Sequence, residues 1–209
     1  MNKNKWIDIS QPLTNNMANW PGDTAYSYEL TFSKQETGSV NIGQITTSLH
    51  TGTHVDAPFH FDDLGEKILD LDVNLYVGKA LLIDVTASDT INIQSLKKHN
   101  LEGVERLLLR TSLLTNLAQF PKQIPKLDPE IAPFLAKKGV KLIGVNMPSV
   151  DPLDSKSLPT HHALHDNGIH ILENLVLDAI NDGEYNLIAL PLAIKDGDGS
   201  PVRAVIQRI

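Results

Sequence analysis

The sequence predicts a single α/β or α+β domain built on a mixed sheet, and three observations support this. Apolar residues make up 41% of the 209 residues, which is enough to form a sizeable core. Strand-like and helix-like segments are interleaved along the chain, and the strands outnumber the helices. No linker-like stretch, internal repeat or low-complexity tract divides the sequence. We therefore expect one domain over residues 1–209.

The first half of the chain is expected to contain mostly strands. Alternating apolar residues, or runs of β-branched and aromatic residues, favour extended structure. Pro21 and Gly22 stand side by side and predict a turn in NWPGDT (19–24). The predicted strands are WIDIS (6–10), AYSYELTFS (25–33), VNIGQITTSLH (40–50) and the buried strand KALLIDVT (79–86).

The second half of the chain mixes helices with strands. One helix is predicted at NIQSLKKHNLEG (92–103), ending near Gly103, and another at PEIAPFLAKKGV (129–140), closed by Gly139. The segment ENLVLDAIND (173–182) is compatible with a helix or with the start of a strand. The remaining predicted strands are RLLLRTS (106–112), KLIGVNM (141–147), YNLIALPLAI (185–194) and PVRAVIQRI (201–209).

The turn-rich stretch KDGDGS (195–200) predicts a hairpin loop between the last two strands. Asp196 and Asp198 alternate in this stretch, as oxygen ligands do in calcium-binding loops. An EF-hand loop needs a glutamate late in its twelve residues, and none is present here. The hairpin loop is therefore favoured over a calcium site.

The composition limits the classes of partner. A net charge of −7 argues against binding to nucleic acid or to an anionic membrane surface. Because the chain has no cysteine, it forms no disulfide, and His, Asp, Glu and water remain as metal ligands. No apolar run follows the basic residues of MNKNKWIDISQPLTNNM (1–17), and the other apolar stretches are too short for a membrane span. We expect a soluble cytoplasmic protein that acts on a small molecule.

One short stretch concentrates four metal-binding side chains, namely His50, His54, Asp56 and His60. In a straight strand they would extend over about 33 Å, too far for one metal site. Pro58 and several β-branched residues disfavour a helix, so we expect a folded-back loop that bends at Gly52 and Pro58. Imidazole and carboxylate groups suit zinc, manganese or iron, and Asp56 could bridge two ions. The alternative is a set of ordinary surface histidines near a turn.

A second cluster occurs in PTHHALHDNGIHILENL (159–175) and contains His161, His162, His165, His170 and Glu173. Glu173 stands among apolar residues, where an ionised carboxylate is costly unless a cation accompanies it. The alternative is a glutamate on the exposed face of an amphipathic helix. The residue pattern alone does not select one of the four histidines. The two clusters together offer ligands for two metal ions, an arrangement typical of hydrolases.

The stretch HTGTHVDAPFHF (50–61) resembles the H-x-G-T-H-x-D-x-P-x-H-F signature of the cyclase-like metal-dependent hydrolases. The resemblance covers nearly the whole chain, and the chain length suits the formamidase branch of that family. It implies a cyclase-like α/β fold of the swivelling β/β/α type and assembly as a homodimer. It also implies two Zn²⁺ ions per subunit, with Mn²⁺ as the alternative metal. The other similar stretches are ISQPLTNNMANWPGD (9–23), LLLRTS (107–112), PSVDP (148–152), IHILENLVLD (169–178) and DGSPVRAVI (198–206).

The resemblance also implies the metal ligands. His50, His54 and Asp56 would bind one metal ion, and Asp56 would also reach the second ion. In this family a histidine is followed by a glutamate twelve residues later. That spacing selects His161 and Glu173 as ligands of the second ion.

The reaction implied by the resemblance is hydrolysis of N-formyl-L-kynurenine to L-kynurenine and formate in tryptophan degradation. Metal-bound hydroxide would attack the formyl carbon. His60, beside the second metal and able to contact it, would carry the proton to the leaving nitrogen. Trp20 would contact the substrate, although simple packing above the Pro21–Gly22 turn is its alternative role.

Two other functions stay open at this point. One is a hydrolase of the same family that opens a cyclic amide such as isatin, with manganese, and the other is a non-catalytic metal-binding protein. A Ser-His-Asp hydrolase is not supported, because the sequence has no G-x-S-x-G motif. Asn146 and Met147 stand where many relatives have an acidic and a small residue. We expect both near the pocket, where they would affect substrate preference.

Overall fold

The computed structural model describes residues 5–209, so the first four residues of the stretch examined for a signal peptide lie outside it. Within that range, most of the strands form one nine-stranded mixed sheet. The strands are β1 (Trp6–Asp8), β2 (Ser27–Phe32), β3 (Ile42–Thr46), β4 (His54–Asp56), β5 (Val77–Asp84), β6 (Thr90–Ile91), β7 (Arg106–Arg110), β8 (Lys126–Leu127), β9 (Leu142–Val145), β10 (His170–Glu173), β11 (Gly183–Ile188), β12 (Gly199–Pro201) and β13 (Val205–Arg208).

The large sheet is parallel in its middle and antiparallel on both flanks. Its strand order is β1-β13-β11-β5-β7-β9-β10-β4-β12. The strands β5, β7, β9 and β10 pair in parallel, and the strands on either side of them pair antiparallel. This mixed sheet with interleaved helices confirms the predicted fold class.

Two apolar cores cover the two faces of the sheet. Along β7, Leu107 and Leu109 belong to one core and Leu108 to the other, as the period of two in a strand requires. The helices α3 (Ile131–Lys138) and α4 (Pro159–Asp166) cover the first core. The second core draws residues from both flanks of the sheet, including Val55, Leu172, Leu187 and Ile206.

The sheet curls so that its two flanks approach each other. The strand β12 leads through Val202 into β13, although the two strands stand far apart in the strand order. The Val202 N–H donates to the carbonyl of Thr53, next to β4, at 2.9 Å. The Ile9 N–H, just after β1, donates to the carbonyl of Ala204 at 3.0 Å. The curl therefore gathers the start of the chain, β4 and the segment around β12 in one region.

One helix is confirmed and the other is wrong in length. The predicted helix at 129–140 is α3, which ends at Gly139 with a left-handed φ of +94°. The predicted helix at 92–103 is reduced to the four-residue α2 (Ile93–Leu96), which follows the short α1 (Lys34–Thr37) in chain order. Further on, the Asn100 side chain accepts a hydrogen bond from the Glu102 N–H at 3.2 Å, a local turn that competes with helix. No helix within residues 5–209 has the length and apolar character to cross a bilayer.

The segment 173–182 forms no helix, so that alternative is wrong. Only Glu173 belongs to a regular element, as the last residue of β10. The N–H groups of Asn174 and Leu175 donate to the carbonyls of Met147 and Val145 at 2.9 and 3.0 Å. These bonds to a neighbouring segment take the place of helical hydrogen bonds.

The last two predicted strands pair as expected, but the stretch between them is more than a hairpin loop. The strands β11 and β13 pair antiparallel, with Tyr185 opposite Arg208. Gly199 and Ser200, at the end of the predicted loop, belong to β12 and pair with β4. The prediction of a simple loop is wrong, because β4 has an edge that this stretch occupies.

A separate two-stranded hairpin, made of β2 and β3, is exposed along its whole length. Tyr28 and Leu30 of β2 and Ile45 of β3 are about half exposed, at 48%, 47% and 56%. Tyr28 lies directly opposite Ile45, so these apolar side chains share one face of the hairpin.

Candidate metal centre

The strand β4 forms the centre of the site, because it lies between β10 and β12 in the sheet. His54 and Asp56 are two residues apart and therefore face the same side. Glu173 lies directly opposite His54 in the neighbouring strand. Before β4 the chain bends at Gly52, with a φ of +66°, and after it a 3₁₀ turn begins at Pro58. The bends predicted at these two positions are confirmed.

The first set of donor atoms comes from His50, His54 and Asp56, which lie within 4.8 Å of one another. His50 Nδ1 is 2.9 Å and His54 Nε2 is 3.4 Å from Asp56 Oδ1. His54 Nδ1 is 2.8 Å from the carbonyl of Gly52, so it carries the proton that is donated there. That bond fixes the ring so that Nε2 of His54 faces the carboxylates of Asp56 and Glu173, each 3.4 Å away.

The second set of donor atoms comes from Asp56, His161 and Glu173. His161 Nε2 lies 3.6 Å from Asp56 Oδ2 and 3.9 Å from Glu173 Oε1. His161 stands on α4, a helix that the sequence did not predict. The start of α4 is capped from a distance, since Asp151 accepts hydrogen bonds from the N–H groups of Thr160 and His161. Asp56 thus belongs to both donor sets.

The burial and charge of these groups fit a bound cation. His54, Asp56, His161 and Glu173 are only 2–3% exposed. Asp56 Oδ2 is buried and has no hydrogen-bond partner within the described part of the chain. A buried carboxylate oxygen of this kind is costly without a compensating positive charge. Two carboxylates and three imidazoles arranged around Asp56 suit one or two divalent metal ions.

The pKa values of the histidines show how strongly the carboxylates favour positive charge here. Burial opposes protonation of each ring, but hydrogen bonds to the carboxylates outweigh it. Bonds to Asp198 and Asp56 raise the pKa of His50 to about 9. The nearby carboxylates of Asp56 and Glu173 raise the pKa of His54 to about 10. The hydrogen bond to Asp151 and the nearby carboxylates of Asp56 and Glu173 raise the pKa of His161 to about 10. A divalent ion would supply the positive charge in place of these protons.

His60 lies at the rim of the site, on the side of His50. Its ring centroid is 3.8 Å from that of His50 and 6.3 Å from that of His161. We expected His60 beside the second donor set, and it lies closer to a residue of the first. Its side chain is 33% exposed, and burial, together with the nearby His50, lowers its pKa. Its assignment as the proton-transfer residue stays a prediction.

Two aspartates of the site were not recognised in the sequence. Asp198 Oδ2 lies 3.1 Å from His50 Nε2 and 3.6 Å from His60 Nδ1. Asp151 Oδ2 accepts a hydrogen bond from His161 Nδ1 at 2.7 Å. Both belong to stretches that carry the family resemblance, PSVDP and DGSPVRAVI. Their position within these stretches is the sequence feature that could have identified the two aspartates as site residues.

The other histidines of the second cluster lie outside both donor sets. His162 and His165 pack edge-on against the ring of Phe61, with centroids 5.4 and 5.7 Å away. His170 stands three residues before Glu173 on β10 and packs near Tyr76. Of the four histidines, His161 is the one placed in a donor set, and its role as a metal ligand stays a prediction.

A cavity of about 330 Å³ opens beside the site, and His50 forms part of its wall. Trp20 lines the same cavity and packs edge-on against Phe120, with ring centroids 5.3 Å apart. Asn146 also lines it, and its amide is held by Thr111. Met147 lies between the lining residues Asn146 and Pro148, but its side chain is fully buried in the core that the helices cover and does not line the cavity.

Comparison with known proteins decides the family. Residues 7–152 match a family model described as putative cyclase. The chain belongs to this cyclase family. Its relatives include kynurenine formamidases from Bacillus cytotoxicus, 62% identical over 99% of both chains, and from Bacillus thuringiensis strain Al Hakam, 61% identical over 100% of both chains.

Solved structures of other hydrolases show the same fold. A predicted metal-dependent hydrolase from Bacillus stearothermophilus is 25% identical, with a TM-score of 0.82 over 97% of both chains. Isatin hydrolase A from Ralstonia solanacearum is 21% identical, with a TM-score of 0.81, over 97% of this chain and 91% of the other. The predicted cyclase-like fold is therefore confirmed.

Proposed function

We propose that this chain is a metal-dependent amide hydrolase that converts N-formylkynurenine to kynurenine and formate, a step of tryptophan degradation. The observation that carries the proposal is the pair of donor sets that share the buried carboxylate of Asp56 beside an open cavity. The kynurenine formamidases that are 61–62% identical over essentially the whole chain support the same assignment.

The donor chemistry supports two divalent cations, and we assign them as zinc, with manganese as the alternative. His50, His54 and Asp56 would hold one ion, and Asp56, His161 and Glu173 would hold the other. Such cations, when bound, polarise a carbonyl group and lower the pKa of water.

His60 is the residue that we assign to proton transfer. Burial lowers its pKa, so its ring is neutral near pH 7 and can accept a proton from the attacking water. The same ring would return that proton to the anilide nitrogen as the C–N bond breaks. The water oxygen ends on formate, and the nitrogen leaves as the free arylamine.

Trp20 is the residue that we assign to the aromatic ring of the substrate. It shares a cavity with His50 and already packs edge-on against Phe120. Contact with a substrate ring would contribute on the order of 1 kcal/mol beyond burial of the surface. Asn146 and its amide contacts would shape the opposite part of the wall.

A direct assay tests the proposed function. The purified protein, loaded with zinc, is given N-formylkynurenine, and kynurenine is followed by its absorbance with and without a chelator. We expect turnover that the chelator abolishes and that added zinc restores. If metal-loaded protein releases no kynurenine but opens isatin, the cyclic-amide hydrolase is the better assignment. If it binds metal and hydrolyses neither compound, the protein is a non-catalytic metal-binding protein.

The homodimer and the cytoplasmic location are carried over from the family resemblance as proposals. The apolar face of the β2–β3 hairpin, with Tyr28, Leu30 and Ile45 about half exposed, supports assembly. A subunit interface would bury that face.

A further inference from the structure

The charged residues that line the cavity beside the metal centre differ in sign from the net charge of the whole chain. Its described lining residues include one lysine, Lys122, and neither aspartate nor glutamate. The chain as a whole has 25 acidic and 18 basic residues. The wall is otherwise made of apolar, amide and hydroxyl side chains, together with His50. The cavity therefore favours a ligand that is neutral or negatively charged.

Lys122 is placed next to the aromatic part of the wall. It follows Phe120 and Pro121, and Phe120 packs edge-on against Trp20. In the described part of the chain the lysines that form ion pairs are Lys67, Lys138 and Lys141. Lys122 is an exposed residue that lines the cavity and has no ion-pair partner in the described part of the chain.

We propose that Lys122 binds the carboxylate of the substrate and makes the enzyme selective for aryl formamides whose side arm includes a carboxylate. This inference rests on the proposed function. N-formylkynurenine has a formamide for the metal centre, a ring for the Trp20–Phe120 pair and, beside its own α-ammonium group, a carboxylate for Lys122. A charge-assisted hydrogen bond of this type is stronger than a neutral one. Isatin has no carboxylate and would gain nothing from Lys122.

Two substrates and three variants test the inference. N-formylkynurenine is compared with N-formylkynurenamine, which differs only in lacking the carboxylate. The variants are Lys122→Met, Lys122→Arg and the control Lys137→Met, an exposed lysine of α3 that does not line the cavity. Values of kcat and KM are measured on zinc-loaded protein for each pair.

We expect Lys122→Met to lower kcat/KM for N-formylkynurenine about tenfold, mainly through KM, since a contact equal in ground and transition states is lost. The same variant should cause no loss of kcat/KM for N-formylkynurenamine, because that substrate is a cation and has no carboxylate for Lys122 to bind. Lys122→Arg should retain most of the selectivity, and Lys137→Met should match the unmodified protein on both substrates.

Equal loss on both substrates, or no loss on either, would overturn the assignment of Lys122 while the proposed function stands. The activity of the unmodified protein tests the proposed function itself. If the unmodified, zinc-loaded protein hydrolyses neither formamide, the proposed function fails, and the inference fails with it.

Discussion

At the scale of single residues, the site depends on how each histidine is held by a carboxylate or a carbonyl. His54 donates one ring proton to Gly52, and His161 donates one to Asp151, so the other nitrogen of each ring faces Asp56. Outer groups of this kind fix the tautomer and the orientation of a metal-binding imidazole. The affinity of the centre for metal should therefore depend on residues that never touch the ion.

Asp151→Asn tests this dependence. Asparagine keeps an oxygen for the N–H groups at the start of α4 but loses the charge that pairs with His161. We expect zinc to bind one of the two positions about 10–100-fold more weakly. Competition with a chromophoric chelator measures this, and Asp154→Asn, an exposed change nearby, is the control. Two ions bound with unchanged affinity would contradict the role given to Asp151.

His60→Ala tests the proton-transfer residue. His60 lies outside the two donor sets around Asp56, although it also groups with His50 and Asp198, so both sets stay intact in this variant and metal content is measured alongside activity. We expect kcat for N-formylkynurenine to fall by about 10²–10⁴-fold. The control is His162→Ala, a change at an exposed histidine, and this variant should keep its activity. If His60→Ala turns over at the original rate with its metal in place, the proposed mechanism is wrong.

At the scale of elements, local signals were readable in the sequence and distant ones were not. The helix α3 was predictable because its periodicity and its closing Gly139 lie within a dozen residues. The grouping of His50, His54 and Asp56 was predictable for the same reason. Asp198 was not predictable, because the sheet topology brings it to His50 from 148 residues away in the chain. The start of α4 was missed although its capping residue Asp151 lies only nine residues before Thr160, because the segment between them is irregular. The end of the stretch that we expected to be a loop pairs with the edge of β4 and forms β12.

An ion pair joins two central elements of the sheet. Asp84 and Arg110, at the ends of β5 and β7, are opposite each other, and their side chains lie 2.7 Å apart. The hydrogen bond from Thr86, opposed by slight burial and aided by Arg110, lowers the pKa of Asp84 to about 2. A folded-state pKa below the unfolded value near 3.9 stabilises the fold above about pH 4. That contribution is lost as the pH falls towards 2.

Asp84→Asn should therefore destabilise the protein in a pH-dependent way. We expect a loss of about 0.5–1 kcal/mol at pH 7, since the pair is partly exposed, and a smaller loss near pH 3. Urea unfolding at the two pH values measures this, with Asp89→Asn, an exposed change, as the control. A loss that stays the same at both pH values would show that the carboxylate charge is not the cause.

At the scale of the whole molecule, every residue of β2 and β3 is exposed within the described part of the chain, residues 5–209. An isolated two-stranded hairpin is marginal in water, so an apolar face of this kind calls for a partner. The face defined by Tyr28, Leu30 and Ile45 is the place where we expect subunits to meet.

Paired charge substitutions on the two faces of the hairpin test this expectation. If the chain forms the proposed dimer, Leu30→Lys with Ile45→Lys should convert it to a monomer, because the apolar face could no longer be buried. The control is Glu29→Lys with Gln44→Lys, a directly opposite pair on the polar face. Analytical ultracentrifugation gives the mass of each. A monomeric unmodified protein, or a dimeric Leu30/Ile45 variant, would contradict the assignment.

The measurement that tests the central claim most directly is a zinc titration of metal-stripped protein, with kynurenine release from N-formylkynurenine as the readout. The two donor sets that share Asp56 predict that activity rises with added zinc and reaches its plateau at about two equivalents per chain. Release of kynurenine that is independent of zinc would contradict the account, as would the absence of release at any zinc loading.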